Sequence, residues 1–155
     1  MSSIGARPLP ITIQLANPDS DCRSAVMDLQ ECGAPDIRLN RQPLTPSEFR
    51  GEFHGAIVLL LHRADQYQGR ASGLFLDSIM AGAPIIAVAG SRFAEEVEAD
   101  GIGVVAVSTD PSAIHDAAVR AVAGWRQHVK AMSMRRERLL VEHRANPLAH
   151  FIAGT

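Results

Sequence analysis

The chain has 155 residues, of which 46% are hydrophobic, so it is long enough to bury one sizeable core. Its formal net charge of −2 at pH 7 produces no strong overall field, which argues against nucleic acid as a partner. Residues 1–10 lack the apolar core of a signal peptide, and the longest strongly apolar run, residues 56–61, is too short to span a bilayer. We therefore expect a single cytoplasmic domain over residues 1–155, with residues 1–9 flexible.

Short aliphatic segments alternate with helical stretches along the chain, which predicts a parallel sheet with helices on both faces. The third and fourth segments are apolar on both faces, as expected for central strands. We expect a three-layer α/β/α Rossmann-like domain with about five parallel strands in the order 3-2-1-4-5 and a long C-terminal helix. The five predicted strands are residues 11–15, 36–39, 56–61, 84–89 and 103–107.

Several helix starts carry recognisable capping residues, and the second helix has the most complete signal. Thr45 is expected as its N-cap, Pro46 takes its first position and Glu48 closes a capping box. The third helix is expected to end at Gly82, because a glycine after a helix accepts the left-handed conformation. The N-caps expected for the third, fourth and fifth helices are Ser72, Ser91 and Asp110.

Ligands of open parallel sheets bind beyond the carboxyl ends of the strands, where loops enter helices. The loop after the first strand, NPDSD, has neither the GxGxxG of a dinucleotide site nor the GxxxxGK[ST] of a P-loop. Simple NAD or ATP binding is therefore disfavoured. It also lacks a Ser/Thr-rich phosphate cradle, and no strand ends in a convincing phosphorylatable aspartate, so a flavodoxin-like or receiver-like domain is a weaker interpretation.

The best anion site in the sequence lies at the start of the third helix. Arg70 supplies a delocalised cation, Ser72 a small hydroxyl group, and Gly73 leaves the neighbouring backbone N–H groups uncovered. The competing structural interpretation is that Ser72 only caps the helix, Gly73 allows close packing and Arg70 is solvated. Tyr67 lies in the same loop. Its ring is expected either to stack on the base of a bound nucleotide or to pack against other residues of the protein.

The order of features around these residues resembles the donor-binding, C-terminal domain of bacterial GT-B glycosyltransferases. An apolar strand is followed by Tyr67, by Arg-x-Ser-Gly-x-Phe over residues 70–75 and by the helix acid Asp77. A Gly-x-Pro turn, a second apolar strand and a Gly-Ser turn come next, ending at Ser91. The similarity extends over roughly residues 11–144, but only residues 67–90 are specific.

This resemblance implies roles for the residues that match it. Arg70, Ser72 and Gly73 would face the diphosphate of a nucleotide sugar, and Asp77 would contact its ribose. The sequence departs from the family at two positions, since Asp77 stands where glutamate is usual and Gly69 where many relatives carry an acid near the sugar.

The implied function is nucleotide-diphospho-sugar binding with stabilisation of the diphosphate leaving group. The nucleotide sugar would be a substrate, and neither a cofactor nor a metal is expected. An acceptor site and any general base would come from an N-terminal acceptor domain or a partner chain, which would complete a glycosyltransferase. The alternative is a non-catalytic protein- or membrane-interaction module on the same scaffold.

The C-terminal helix lies in a basic segment, residues 124–146, where six Arg or Lys residues and two Glu residues give a net charge of about +4. In GT-B enzymes the final helix commonly crosses back to brace the N-terminal domain, so the resemblance implies that role. Peripheral contact with an anionic membrane through basic residues around an apolar stripe is a second interpretation. An ordinary solvated helix face is a third.

Overall fold

The computed structural model describes residues 10–14, 20–31, 36–61 and 72–144. The predicted alternation and the long C-terminal helix are confirmed. Tyr67, Gly69, Arg70 and residues 1–9 lie outside the described residues. The elements are β1 Ile11–Gln14, α1 Ser20–Glu31, β2 Ile37–Asn40, α2 Pro46–Glu52, β3 Val58–Leu60, α3 Gly73–Ala81, β4 Ile85–Val88, α4 Arg92–Asp100, β5 Gly103–Ala106, α5 Pro111–Ala123 and α6 Trp125–Arg144.

The chain divides into two compact units, residues 1–46 and 47–155. In the first unit β1 and β2 pair in parallel, with Ile11 opposite Ile37 and Gln14 opposite Asn40. The Gln14 side chain donates a hydrogen bond of 2.9 Å to the Gln42 carbonyl, just beyond the end of β2. The expectation of a single domain over residues 1–155 stays a prediction.

In the second unit β3, β4 and β5 form a three-stranded parallel sheet with β4 in the centre. All four β4 residues are buried, as expected for a strand covered on both faces. Ile85 faces a cluster formed with Phe75, Val97 and Met132, which come from α3, α4 and α6. Ile86 faces the opposite cluster, which includes residues of α5. This unit therefore has helices on both faces of its sheet.

The predicted strand order, 3-2-1-4-5, is wrong. The structure forms two sheets, β1-β2 and β3-β4-β5, so β3 lies beside β4 where the prediction had placed β1. The physical reason is that β3 and β4 are parallel strands that follow one another along the described chain, and consecutive strands commonly pair directly. The parallel direction of every pair and the β1–β2 and β4–β5 neighbours are confirmed.

The helix boundaries follow the capping residues closely. Helix α2 begins at Pro46 as predicted, and Gly82 ends α3 in the left-handed conformation with φ of 76°. Ser91 caps α4 by accepting a hydrogen bond from the Ala94 N–H at 3.2 Å. Asp110 occupies the N-cap position of α5, but its side chain makes no capping hydrogen bond. Its carboxylate instead accepts a 2.6 Å hydrogen bond from the Ser108 hydroxyl, so the predicted N-cap position is confirmed, although the side chain does not cap the helix.

Strand β5 forms one edge of the three-stranded sheet. Arg120 of α5 donates a hydrogen bond of 2.8 Å from Nη2 to the Val105 carbonyl. This bond ties α5 to the edge strand that it covers. Among the described helices, none combines the length and the apolar character needed to cross a membrane.

Candidate functional site

The candidate site lies at the carboxyl edge of the β3-β4-β5 sheet. Because the three strands are parallel, their carboxyl ends share one edge, and α3 and α4 each begin beyond it. The N-caps of these two helices are Ser72 and Ser91. Free N–H groups in the first turn of a helix carry partial positive charge, so this edge presents two starts that favour an anion.

Ser72 is the N-cap of α3, as one interpretation of the sequence predicts. The residue is buried, its backbone is extended, and its hydroxyl oxygen accepts a hydrogen bond from the Phe75 N–H at 3.3 Å. The Ser72 carbonyl accepts the first helical bond, from the Leu76 N–H at 3.2 Å. Ser72 thus fixes where α3 starts and which way its first N–H groups point.

Gly73, the first residue of α3, is exposed and has free space around it. A Cβ atom added there would meet no atom within 4 Å among the described residues, and the backbone is not in the left-handed region. No described residue packs closely against Gly73, and residues 62–71, which precede this helix, lie outside the described residues, so the interpretation that Gly73 allows close packing stays a prediction. The N–H groups of Gly73 and Leu74 lie in the first turn, where no helical carbonyl reaches them.

Asp77 lies four residues after Gly73, which places the two residues on neighbouring positions of one helix face. Both are exposed, while Phe75, Ser78 and Ile79 point into the core. The structure therefore brings Gly73 and Asp77 together at one surface, with Ser72 behind them as the cap. Arg70 and Tyr67 precede this helix but lie outside the described residues, so their roles stay predictions.

The start of α4, like that of α3, is capped by a serine. Gly90 adopts the left-handed conformation with φ of 79°. The next residue, Ser91, donates a hydrogen bond of 2.7 Å to the Val88 carbonyl while it caps the helix. Arg92 follows on the surface, with its Nε atom 3.5 Å from the Glu96 carboxylate. A capped helix start and a mostly exposed arginine thus stand beside the β4 end.

The two helix starts are linked by a ring contact that sequence analysis did not predict. Phe75 and Phe93, both buried, lie with their ring centroids 5.0 Å apart. Each follows its capping serine within three residues, so the contact joins the first turns of α3 and α4. A phenylalanine follows the capping serine in both helices, with the spacing Ser-x-x-Phe in α3 and Ser-x-Phe in α4. These spacings are the sequence signal that could have suggested the ring contact.

The basic helix α6 directs part of its charge toward the last turn of α4. The Arg135 side chain, only 16% exposed, has its Nε atom 2.9 Å from Asp100 Oδ2, and its other nitrogens lie 3.7 Å from Glu96 and 3.6 Å from Glu142. The buried Nε–H is not aligned for a hydrogen bond to any described acceptor, so its contact with Asp100 is ionic. Arg138 also pairs with Asp100. Two of the basic side chains of α6, Arg135 and Arg138, therefore bind acidic residues of α4.

No protein-family model matches the sequence, and no curated protein matches it significantly. Within the part of the chain that the structure describes, no three His, Cys, Asp or Glu residues come together as a group that could hold a metal ion. The geometry of the helix starts therefore carries the functional argument.

Proposed function

We propose that the chain binds the diphosphate of a nucleotide sugar at the start of α3, as in the donor-binding half of a GT-B glycosyltransferase. The observation that carries this proposal is the open position of Gly73. Glycine weakens helices relative to alanine, and at this position neither a left-handed backbone nor a close neighbour among the described residues requires it. We attribute the glycine to the close approach of a ligand to the backbone.

Each matching residue has a role in this proposal. The N–H groups of Gly73 and Leu74 and the guanidinium of Arg70 hold the phosphate oxygens. Asp77, on the same exposed face one turn later, accepts hydrogen bonds from ribose hydroxyls. Tyr67 stacks on the base. Support for this arrangement comes from the shared face of Gly73 and Asp77.

The chemical contribution of the site is to stabilise a leaving group. As the glycosidic bond breaks, negative charge grows on the diphosphate, and N–H groups already held in place by the Ser72 cap interact more strongly with it. The acceptor site and any general base are supplied by an N-terminal acceptor domain or a partner chain. A Rossmann-like donor domain is the fold that this function implies, and the covered β3-β4-β5 sheet is consistent with one.

The direct test is an NMR titration of the chain with UDP, GDP, dTDP and ADP, following the amide signals of Gly73 and Leu74. We expect one nucleotide to shift both signals saturably. The amide of Gly101, at the opposite end of α4, is the internal control and should not move. If no nucleotide shifts the Gly73 amide signal at a concentration of about 1 mM, any binding is weaker than about −4 kcal/mol. The donor-site proposal would then be wrong.

The alternative function is a non-catalytic module that displays α6 to a protein or to an anionic membrane. It is favoured by the basic side chains of Lys130 and Arg144 on α6, which are exposed. This function predicts no nucleotide affinity and a contact that weakens as salt concentration rises. Co-sedimentation with anionic vesicles at low and high salt would measure the membrane version.

A further inference from the structure

One strip of α6 faces away from the core. The core-facing side of this helix carries Met132, which is fully buried. Met134 and Val141, by contrast, are 59% and 64% exposed. They lie seven residues apart, which is close to two helical turns and so places them on one line along the helix surface. Glu137 and Arg138 lie between them.

We call Met134, Glu137, Arg138 and Val141 the α6 strip. The order of these residues is self-complementary. Read in either direction, Met134, Glu137, Arg138 and Val141 have an apolar residue at each end and opposite charges in the middle. When two copies of the helix pack antiparallel about a point between residues 137 and 138, Met134 of each faces Val141 of the other. Glu137 of each then faces Arg138 of the other. A two-fold symmetric interface requires this relation, in which i contacts j and j contacts i.

We propose that the chain forms a symmetric dimer through the α6 strip. Arg138 can serve this contact because its side chain is 57% exposed and binds Asp100 through Nη2, while a guanidinium has five N–H donors. Glu137 is exposed and has no ion-pair partner among the described residues. Each dimer therefore contains two identical ion pairs, flanked by two identical apolar contacts.

The same strip is poorly suited to a membrane surface. A membrane-bound helix places apolar residues in the centre of its buried face and basic residues around them. Here the acid Glu137 lies at the centre, where it would be repelled by anionic headgroups. Two turns of one helix bury less than the roughly 1,200 Å² of a stable interface, so the dimer is expected to be weak and reversible.

Sedimentation equilibrium over a range of about 10 µM to 1 mM tests the dimer, since weak interfaces dissociate within this range. Glu137→Arg and Arg138→Glu each place like charges opposite one another, and each should raise the dissociation constant at least about tenfold. When the two variants are mixed, the adjacent arginines of the first variant face the adjacent glutamates of the second. The mixture should therefore form a heterodimer within about threefold of the original affinity.

Arg138→Glu also removes the ion pair with Asp100, so a variant that leaves this pair intact is needed. Val141→Asp places a charge in the apolar contact and should abolish dimerisation while Arg138 and Asp100 are both retained. Val119→Asp, at a 53% exposed position of α5, is the matched control and should leave the dimer unchanged. A wild-type chain that stays monomeric at about 1 mM, or a dimer that persists in Glu137→Arg and Val141→Asp, would overturn the proposal. So would binding of a monomeric wild-type chain to anionic vesicles through the same strip.

Discussion

The rings of Phe75 and Phe93 pack against each other at a centroid distance of 5.0 Å, with their planes inclined at 39°. Because each ring lies in the first turn of its helix, this contact fixes the starts of α3 and α4 relative to one another. The capping serines then set the direction of the N–H groups in the first turn of each helix. The candidate anion site thus rests on the packed core beneath it, which is how a binding surface remains ordered before its ligand arrives.

Phe93→Ala should destabilise the protein by about 3–5 kcal/mol, the usual effect of truncating a buried phenylalanine. Both the apolar burial of Phe93 and its contact with Phe75 are lost. Urea denaturation followed by circular dichroism measures the change. Phe49→Ala is the control, because Phe49 is half-buried in its own pair with Phe53 and should cost less. Equal losses of unfolding free energy in the two variants would contradict the expectation that Phe93 contributes more to stability than Phe49.

Gly103→Ala should cost at least about 3 kcal/mol, because its Cβ atom would overlap the Ile85 carbonyl of the neighbouring strand, and a close-packed core has little room to relax. Both residues are backbone partners in the β4–β5 ladder, so neither can move alone. Gly73→Ala is the matched control and should leave the melting temperature unchanged or slightly higher, since its Cβ meets no described atom within 4 Å and alanine favours helix more than glycine does. A similar melting temperature for the two variants would show that the β4–β5 contact is looser than described.

Ser72→Asp separates the capping role of Ser72 from the proposed anion site. Aspartate is as good an N-cap as serine, but Ser72 is buried, so the larger, charged side chain should lower the unfolding free energy by about 1–3 kcal/mol, whereas Ser72→Ala should lose about 1 kcal/mol. The new carboxylate would repel a diphosphate, so nucleotide affinity should fall at least about tenfold. Isothermal titration calorimetry compares the two variants. Retained nucleotide binding in Ser72→Asp would remove the start of α3 from the site.

Arg70→Ala should weaken diphosphate binding by about 1.5–3 kcal/mol, the value of a charge-assisted hydrogen bond. Arg126→Ala is the control, since Arg126 is exposed on α6 and belongs to no proposed site. The same titration calorimetry applies. Equal affinities for the two variants would exclude Arg70 from the phosphate contacts while leaving Gly73 to be tested separately.

Arg135→Met should lower the unfolding free energy by about 1–3 kcal/mol, because the carboxylate of Asp100 loses an ionic partner while only 17% exposed. Methionine keeps most of the apolar stem, so lost packing contributes little. Arg126→Met, at an exposed position, should change stability by less than about 0.5 kcal/mol. If Asp100→Asn abolishes the difference between the two arginine variants, the ion pair is its cause.

The features that sequence analysis predicted correctly depend on residues close together in the chain. Ser72, Ser91 and Gly82 act within four residues of the helix ends that they define, so local chemistry was sufficient. Asp110 shows the limit of that reasoning, because its carboxylate binds the nearby Ser108 instead of the helix N–H groups. A second polar group within reach changed the outcome.

The features that could not be predicted depend on which segments meet in space. The predicted strand order was wrong because the position of β3 beside β4 depends on strand pairing and on the geometry of the connection. The residue pattern within β3 does not indicate either of these. The same holds for Gly73, because its own segment does not tell which described residues come close to it in space. Only the resemblance to GT-B donor-binding domains implied that Gly73 contacts a diphosphate. The structure adds that no described neighbour requires a glycine at this position.

The hydrogen bond from Arg120 to the Val105 carbonyl has a consequence for behaviour at high concentration. An edge strand offers unpaired carbonyl and N–H groups on which a foreign strand can add, and aggregation often begins in this way. On β5 the guanidinium of Arg120 already occupies one of the acceptors that such a strand would need. Strand addition at this edge must first break a charge-assisted bond and bring a backbone against a cation. The residue that attaches α5 to the sheet thus also protects the sheet from growing.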